Sequence, residues 1–258
     1  MKLKFYRGVL FILCALMFVL PSCGSDSSET ASKASSSAIF FVTPSAAKPS
    51  ATPTASPTAT PTTAPTPTAT VSIPSSDDAF VKIVDFVPSA VIELKYSTTQ
   101  NFTGQVIYDF TDAYARYGTV KKLAAAADAL ALKGYRIKIW DAFRPVSAQF
   151  KLWDVYPDPT YVANPNVGYS NHTRGCAIDL TLIDSSGNEI FMPTAFDDFS
   201  GAADRDYSDV SAEAANNARM LEEIMESCGF SGYYGEWWHF NDTVKYSPET
   251  SFEPSKLY

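Results

Sequence analysis

Apolar positions along the chain fall into three regimes. Val9 to Leu20 is apolar without interruption for 12 residues. Residues 24–76 are Ser, Thr, Ala and Pro almost throughout and show no period. From Asp77 onward, apolar residues recur at intervals that predict regular elements. Val120 to Leu132 has helical spacing, with Thr119 as the expected N-cap and Gly134 at the C-terminal end. Arg136 to Trp140 alternates and predicts a strand. Ser147 to Val155, after Pro145, predicts a helix, and Ala177 to Ile183 is apolar and β-leaning. Ser211 to Ser227 predicts a helix capped by Ser211, with Met220, Leu221, Ile224 and Met225 on one face and Gly229 as its stop. Trp237 to Asn241 reads as a short β-like run. Strands and helices do not alternate regularly, which predicts an α+β domain over 77–258 rather than a parallel doubly wound sheet.

The first apolar run is too short for a bilayer-spanning helix, which needs about 20 apolar residues. Lys2, Lys4 and Arg7 precede it, and Leu20-Pro21-Ser22-Cys23 follows it. That order is expected of an export signal over 1–23. Its end resembles a bacterial lipobox, in which the Cys, here Cys23, is lipidated and anchors the chain to a membrane. The alternative is a plain secretory signal. Between Pro44 and Pro74 a Pro recurs every few residues. Such a segment cannot bury a core, so 24–76 is expected to be a disordered, partly polyproline II linker, with a reach on the order of 150 Å at about 3.1 Å per residue. A stalk holding a domain off a membrane has this composition. The apolar patch Ile39-Phe40-Phe41-Val42 has no explanation in that scheme.

Composition narrows the function. The 258 residues are 46% hydrophobic, enough for a core, and the formal charge is −8. An acidic chain argues against a nucleic-acid partner, which selects a basic face. The chain has only 2 His, so any His-dependent chemistry uses His172 or His239.

Each His has carboxylates nearby. His172 lies in Ser170-Asn171-His172-Thr173-Arg174-Gly175-Cys176-Ala177-Ile178-Asp179, and His239 in Glu236-Trp237-Trp238-His239. Two His and one Asp would give zinc three ligands with a fourth position open for water, leaving Glu236 to act on that water. On a straight strand, however, His172 and Asp179 would point to opposite faces, as would Glu236 and His239. Gly175 could break the first run, and a turn or bulge is required in the second. Spacing alone leaves a metal site and two structural histidines both open.

The segment 170–179 resembles the S-x-H-x-x-G-x-A-x-D motif of zinc D,D-peptidases, and 236–239 resembles their E-x-W-H motif. Glu-Trp-Trp-His is the form typical of D-alanyl-D-alanine dipeptidases of the vancomycin-resistance type; related D,D-carboxypeptidases commonly have Glu-Pro-Trp-His. Tyr96 with Asn101-Phe102-Thr103-Gly104, Asp141-Ala142-Phe143-Arg144-Pro145, and Phe196-Asp197 match in the same order. The resemblance covers roughly 80–258. It implies a small antiparallel sheet carrying one zinc ion, Zn2+, between flanking helices. It implies that His172, Asp179 and His239 bind the metal, that Glu236 is general base and then acid, and that Arg144 stabilises the oxyanion. Asp197 would receive the ammonium of a small peptide substrate, and Ser170 lies where the family contacts substrate. The Phe before Asp197 favours it over the adjacent Asp198.

The resemblance implies hydrolysis of D-Ala-D-Ala to D-alanine. The expected export departs from dipeptidases that work in the cytoplasm, and points instead to dipeptide from wall turnover or to wall stems. Two alternatives are a zinc D,D- or L,D-carboxypeptidase trimming stem peptides and a non-catalytic, metal-stabilised wall-binding lipoprotein. A Ser170–His172–Asp179 triad is a third, without the G-x-S-x-G elbow such a serine uses. The run between Trp153 and Ser170 is short beside some family members, which implies a more open wall. Cys176 and Cys228 are either a disulfide, which an extracytoplasmic setting permits, or two small buried thiols.

Overall fold

The computed structural model describes residues 72–257. The expected signal, Cys23 and the linker up to residue 71 lie outside them. The elements run β1 (Phe80–Lys82), α1 (Ile83–Phe86), β2 (Val91–Ile92), β3 (Tyr114–Arg116), α2 (Tyr117–Ala131), β4 (Arg136–Asp141), α3 (Val146–Val155), β5 (Ala177–Ile183), α4 (Ala212–Ser227), β6 (Phe230–Tyr233) and β7 (Glu236–Asp242). β1 and β3 form a two-stranded ribbon; the main sheet has the order β2-β4-β5-β7-β6. β4, β5, β7 and β6 pair antiparallel, as the α+β expectation required, and β2 adds a parallel edge on β4. Among the described residues no helix is long and apolar enough to cross a membrane.

β5 is buried along its whole length. Ile178, Leu180 and Leu182 alternate with Asp179 and Thr181, so they point to opposite faces. The aliphatic set joins a core with Val120, Leu123 and Leu130 of α2 and Leu221 and Met225 of α4. Each of these helices buries one stripe, because its apolar residues recur every three or four positions. The other face of the sheet is left for polar side chains.

One local prediction needs correction. α2 begins at Tyr117, so Thr119 is not its N-cap. Its hydroxyl instead donates 2.8 Å to Asp242 Oδ2, a long-range bond that local pattern cannot show. Of the two alternatives open for Cys176 and Cys228, the structure has free thiols. By contrast, Ser211 caps α4 as predicted, its side chain accepting from the Ala214 N–H at 3.2 Å.

Three departures from regular geometry turn the candidate site residues toward one face. In β4, Ile139 pairs with Leu180 and Asp141 with Asp179, so Trp140 is an extra residue. Without that bulge Asp141 would share the face of Ile139. In β7 the register passes from Tyr233↔Glu236 to Gly232↔Phe240, leaving Trp237, Trp238 and His239 without partners on β6. That bulge lets Glu236 and His239 face one side although they are three apart. The third is Gly175, at φ +72, in the turn that carries His172, two residues before β5. A Cβ there would lie 2.6 Å from two ring carbons of Phe80. Gly175→Ala should therefore lose about 1–2 kcal/mol from the left-handed backbone alone, with overpacking adding about 1–3 kcal/mol. Urea unfolding measures this; an unchanged midpoint would remove Gly175 as a determinant of the turn.

Candidate active site

Cross-strand neighbours share a face, so the register Asp141↔Asp179↔His239 lines three side chains across β4, β5 and β7. The turn before β5 adds His172. The ligand atoms of His172, Asp179 and His239 lie within 4.8 Å of one another. His239 Nδ1 is 2.9 Å from Asp179 Oδ1, His172 Nε2 is 3.4 Å from Asp179 Oδ2, and the two ring nitrogens are 3.3 Å apart.

The outward nitrogens define what the inward ones are. His172 Nδ1 donates to the Ala142 carbonyl at 2.7 Å. His239 Nε2 donates to Asn241 Oδ1 at 2.9 Å, and Asn171 Nδ2 donates to the same oxygen at 2.8 Å. Each neutral imidazole therefore turns a lone pair inward. Two lone pairs and a carboxylate converging on one point repel unless a cation lies among them. Two imidazoles and a carboxylate, with space for a water, are the donor set of a catalytic zinc, and the residues fit that ion. Burial alone would raise the Asp179 carboxyl; positive charge on the two imidazoles, standing where the cation would lie, outweighs burial and holds it well below the usual carboxylate range.

Glu236 Oε2 lies 3.7 Å from His239 Nδ1, beside the ligands. Burial pushes its carboxyl up, opposed by His239, with Asp179 adding to the rise. Arg144, from the turn after β4, is held by a buried cradle. It donates to Asp141 through Nε at 3.2 Å and through Nη2. Its Nε is also 3.3 Å from the Tyr108 hydroxyl, and Nη1 donates to Gln149 Oε1 at 3.0 Å. A guanidinium has five N–H donors, so one on each Nη is left to face the cleft. Sequence reading singled out Arg144 but not Tyr108 or Gln149. Asp141 carried a signal, lying three residues before Arg144 in a quoted motif.

Asp197 also lines the cleft, and adopts φ 58, a left-handed conformation that Asp tolerates better than most residues. Tyr96 donates its hydroxyl to both carboxylate oxygens, at 3.1 and 3.2 Å, and its ring lies 5.1 Å from the Arg144 guanidinium carbon. Burial raises the Asp197 carboxyl well above the usual range, and Asp179 adds to this. Asp198 instead accepts the Ser200 N–H in a turn. Ser170 lines the cleft, but its Oγ accepts from the backbone N–H of His172 at 3.2 Å. Nδ1 of that imidazole bonds the Ala142 carbonyl and Nε2 faces Asp179 and His239, so neither nitrogen serves Ser170 and no Ser170–His172–Asp179 triad is formed. Trp237 is core, its indole N–H bonded to Thr194 Oγ1, and Trp238 lines the cleft.

The cleft holds about 310 Å³. From the run between Trp153 and Ser170, Tyr161 lines the cleft and stacks on Phe199 with ring centroids 4.4 Å apart.

Comparison with known proteins places this geometry. The D-alanyl-D-alanine dipeptidase of Escherichia coli (strain K12) is 39% identical over 166 residues, 64% of this chain and 86% of that protein. The D-alanyl-D-alanine dipeptidase of Enterococcus faecium is 33% identical over 57% of this chain and 83% of its own length. A solved structure of VanYB in complex with D-Alanine-D-Alanine aligns at TM-score 0.35 and 17% identity, over 51% of this chain and 73% of that one. Likeness at that level says nothing about the site. A peptidase family described as D-ala-D-ala dipeptidase matches residues 76–255, the whole of the folded part that carries the His-Asp-His cluster, and the chain belongs to that family.

Proposed function

We propose that this chain hydrolyses the free dipeptide D-Ala-D-Ala to D-alanine at a zinc centre. The observation that carries the reading is the convergence of His172, Asp179 and His239 beside Glu236, in a cleft that the carboxylate of Asp197 also lines. His172, Asp179 and His239 would hold the metal. Bound there, zinc brings the pKa of a water toward about 7 and polarises the scissile carbonyl. Glu236 accepts the proton of the attacking water on its carboxylate and returns it to the leaving nitrogen. Its raised pKa suits both directions of that transfer. The free N–H groups of Arg144 favour the oxygen as it gains charge more than the neutral carbonyl. Asp197 receives the substrate ammonium, a counter-charge that offsets its burial beside Asp179.

That last contact restricts length. A blocked amine would leave Asp197 buried with its Tyr96 bond but no cation, and such a mismatch rejects a substrate strongly. The test is D-alanine release from free and from N-acetylated D-Ala-D-Ala by the zinc-loaded protein. Release from the free form only is the expected result. Release from both would move the assignment to a carboxypeptidase acting on wall stems. Release from neither would leave the non-catalytic wall-binding reading.

The site of action is part of the same proposal. The basic and apolar order of residues 1–20 and the lipobox-like 20–23 support export and lipid attachment at Cys23, with 24–76 as a spacer. Mass analysis of the membrane fraction checks it, since Cys23→Ser would release the chain from the membrane.

A further inference from the structure

Glu236 and His239 can act together only because of the bulge in β7. That bulge costs β7 its ladder to β6 over Trp237, Trp238 and His239, and buried carbonyls without partners are expensive. One side chain takes the place of the missing strand. Arg205 Nη2 donates to the carbonyls of Trp237 at 3.0 Å and His239 at 2.8 Å, and Nε donates to that of Tyr233 at 2.9 Å. Its Nη1 lies 3.1 Å from Glu222 Oε1 of α4, and its plane lies over the Phe240 ring at 4.5 Å. The side chain is 6% exposed and does not line the cleft. The chain makes room for it at Gly232, where a Cβ would lie 2.7 Å from Nη1 and nearer still to Cζ and Nε.

We infer that Arg205 is a positioning residue for the hydrolysis: its fork substitutes for the strand ladder across the β7 bulge and sets Glu236 relative to His239, with Gly232 providing its space. This role rests on those proposed above for Glu236 and His239. A planar guanidinium reaches three carbonyls and a carboxylate at once. The ammonium of Lys is one point on a flexible stem and cannot span them.

The experiment uses the zinc-loaded full chain and Arg205→Ala, Arg205→Lys and Gly232→Ala, with two readouts. For Arg205→Ala, kcat on D-Ala-D-Ala should fall on the order of 10²-fold, the effect of a misplacement of about 1 Å, with KM little changed. Zinc affinity, read by chelator competition, should fall about 10–100-fold, as when a support behind a ligand is lost. Millimolar guanidinium chloride should restore part of both, and sodium chloride should restore neither. Arg205→Lys should fail to rescue, and Gly232→Ala, which retains the Arg, should move both readouts in the same direction. Wild-type kcat and zinc affinity in Arg205→Ala would overturn the inference, as would full rescue by Lys. If Arg205→Ala does not fold cooperatively, Arg205→Lys and Gly232→Ala decide. A wild type inactive on the dipeptide would sink the proposed function, while zinc affinity would still test Arg205.

Discussion

Glu236→Gln should lower kcat on D-Ala-D-Ala on the order of 10²–10⁴-fold, the usual contribution of a positioned general base, while the protein still binds one zinc. Gln keeps the shape of Glu and hydrogen-bonding capacity, so the bulge that carries it is undisturbed. What it loses is the ability to take the proton of water and hand it to the leaving amine. Among the described residues the candidate ligand atoms come from His172, Asp179 and His239, so metal content should not change. Thermal stability should not fall either, because burial opposes the charge of Glu236 in the folded state. Turnover and zinc content measured on one preparation check this. Retained turnover would remove Glu236 from the chemistry, and lost zinc would make it a ligand.

Arg144→Ala should have two separable effects. Loss of a charge-stabilising donor should lower kcat/KM on the order of 10²–10³-fold. Independently, Asp141 would be left fully buried without its cation. Breaking a buried ion pair from one side typically costs about 3–5 kcal/mol. Arg144→Ala with Asp141→Asn should regain much of that stability, because the uncharged amide oxygen could still accept from the Tyr108 hydroxyl and the Ala142 N–H that now bond to Asp141. It should regain none of the activity. Denaturant unfolding and turnover of the two single variants and the double variant separate the effects. Recovery of both together would mean that Arg144 acts only through the fold.

Legibility followed the range of the interactions involved. The helix capped by Ser211 was readable because its cap and apolar stripe lie within one stretch of chain. β5 was readable for the same reason, as seven consecutive buried residues. β1, β2, β3 and β6 are two to four residues long and carry no pattern of their own; they exist because a neighbouring strand offers them hydrogen bonds. Thr119 looked like a cap because its partner, Asp242, lies 123 residues away. Arg205 had no local signal for the same reason, since the carbonyls it serves lie on a hairpin 28 to 34 residues later.

The chain by itself determined the α+β class, the principal helices and strands, and the residue types of the centre: two His, an Asp and a Glu in motifs that resemble a zinc peptidase. These follow from composition and short-range order, which act through local hydrogen bonding and periodic burial. Tertiary structure decided whether those residues could meet. Period-2 alternation sends Glu236 away from His239 and Asp141 away from Asp179. Only strand register, two bulges and the turn at Gly175 bring them to one face, and register is a property of paired strands, not of either strand alone.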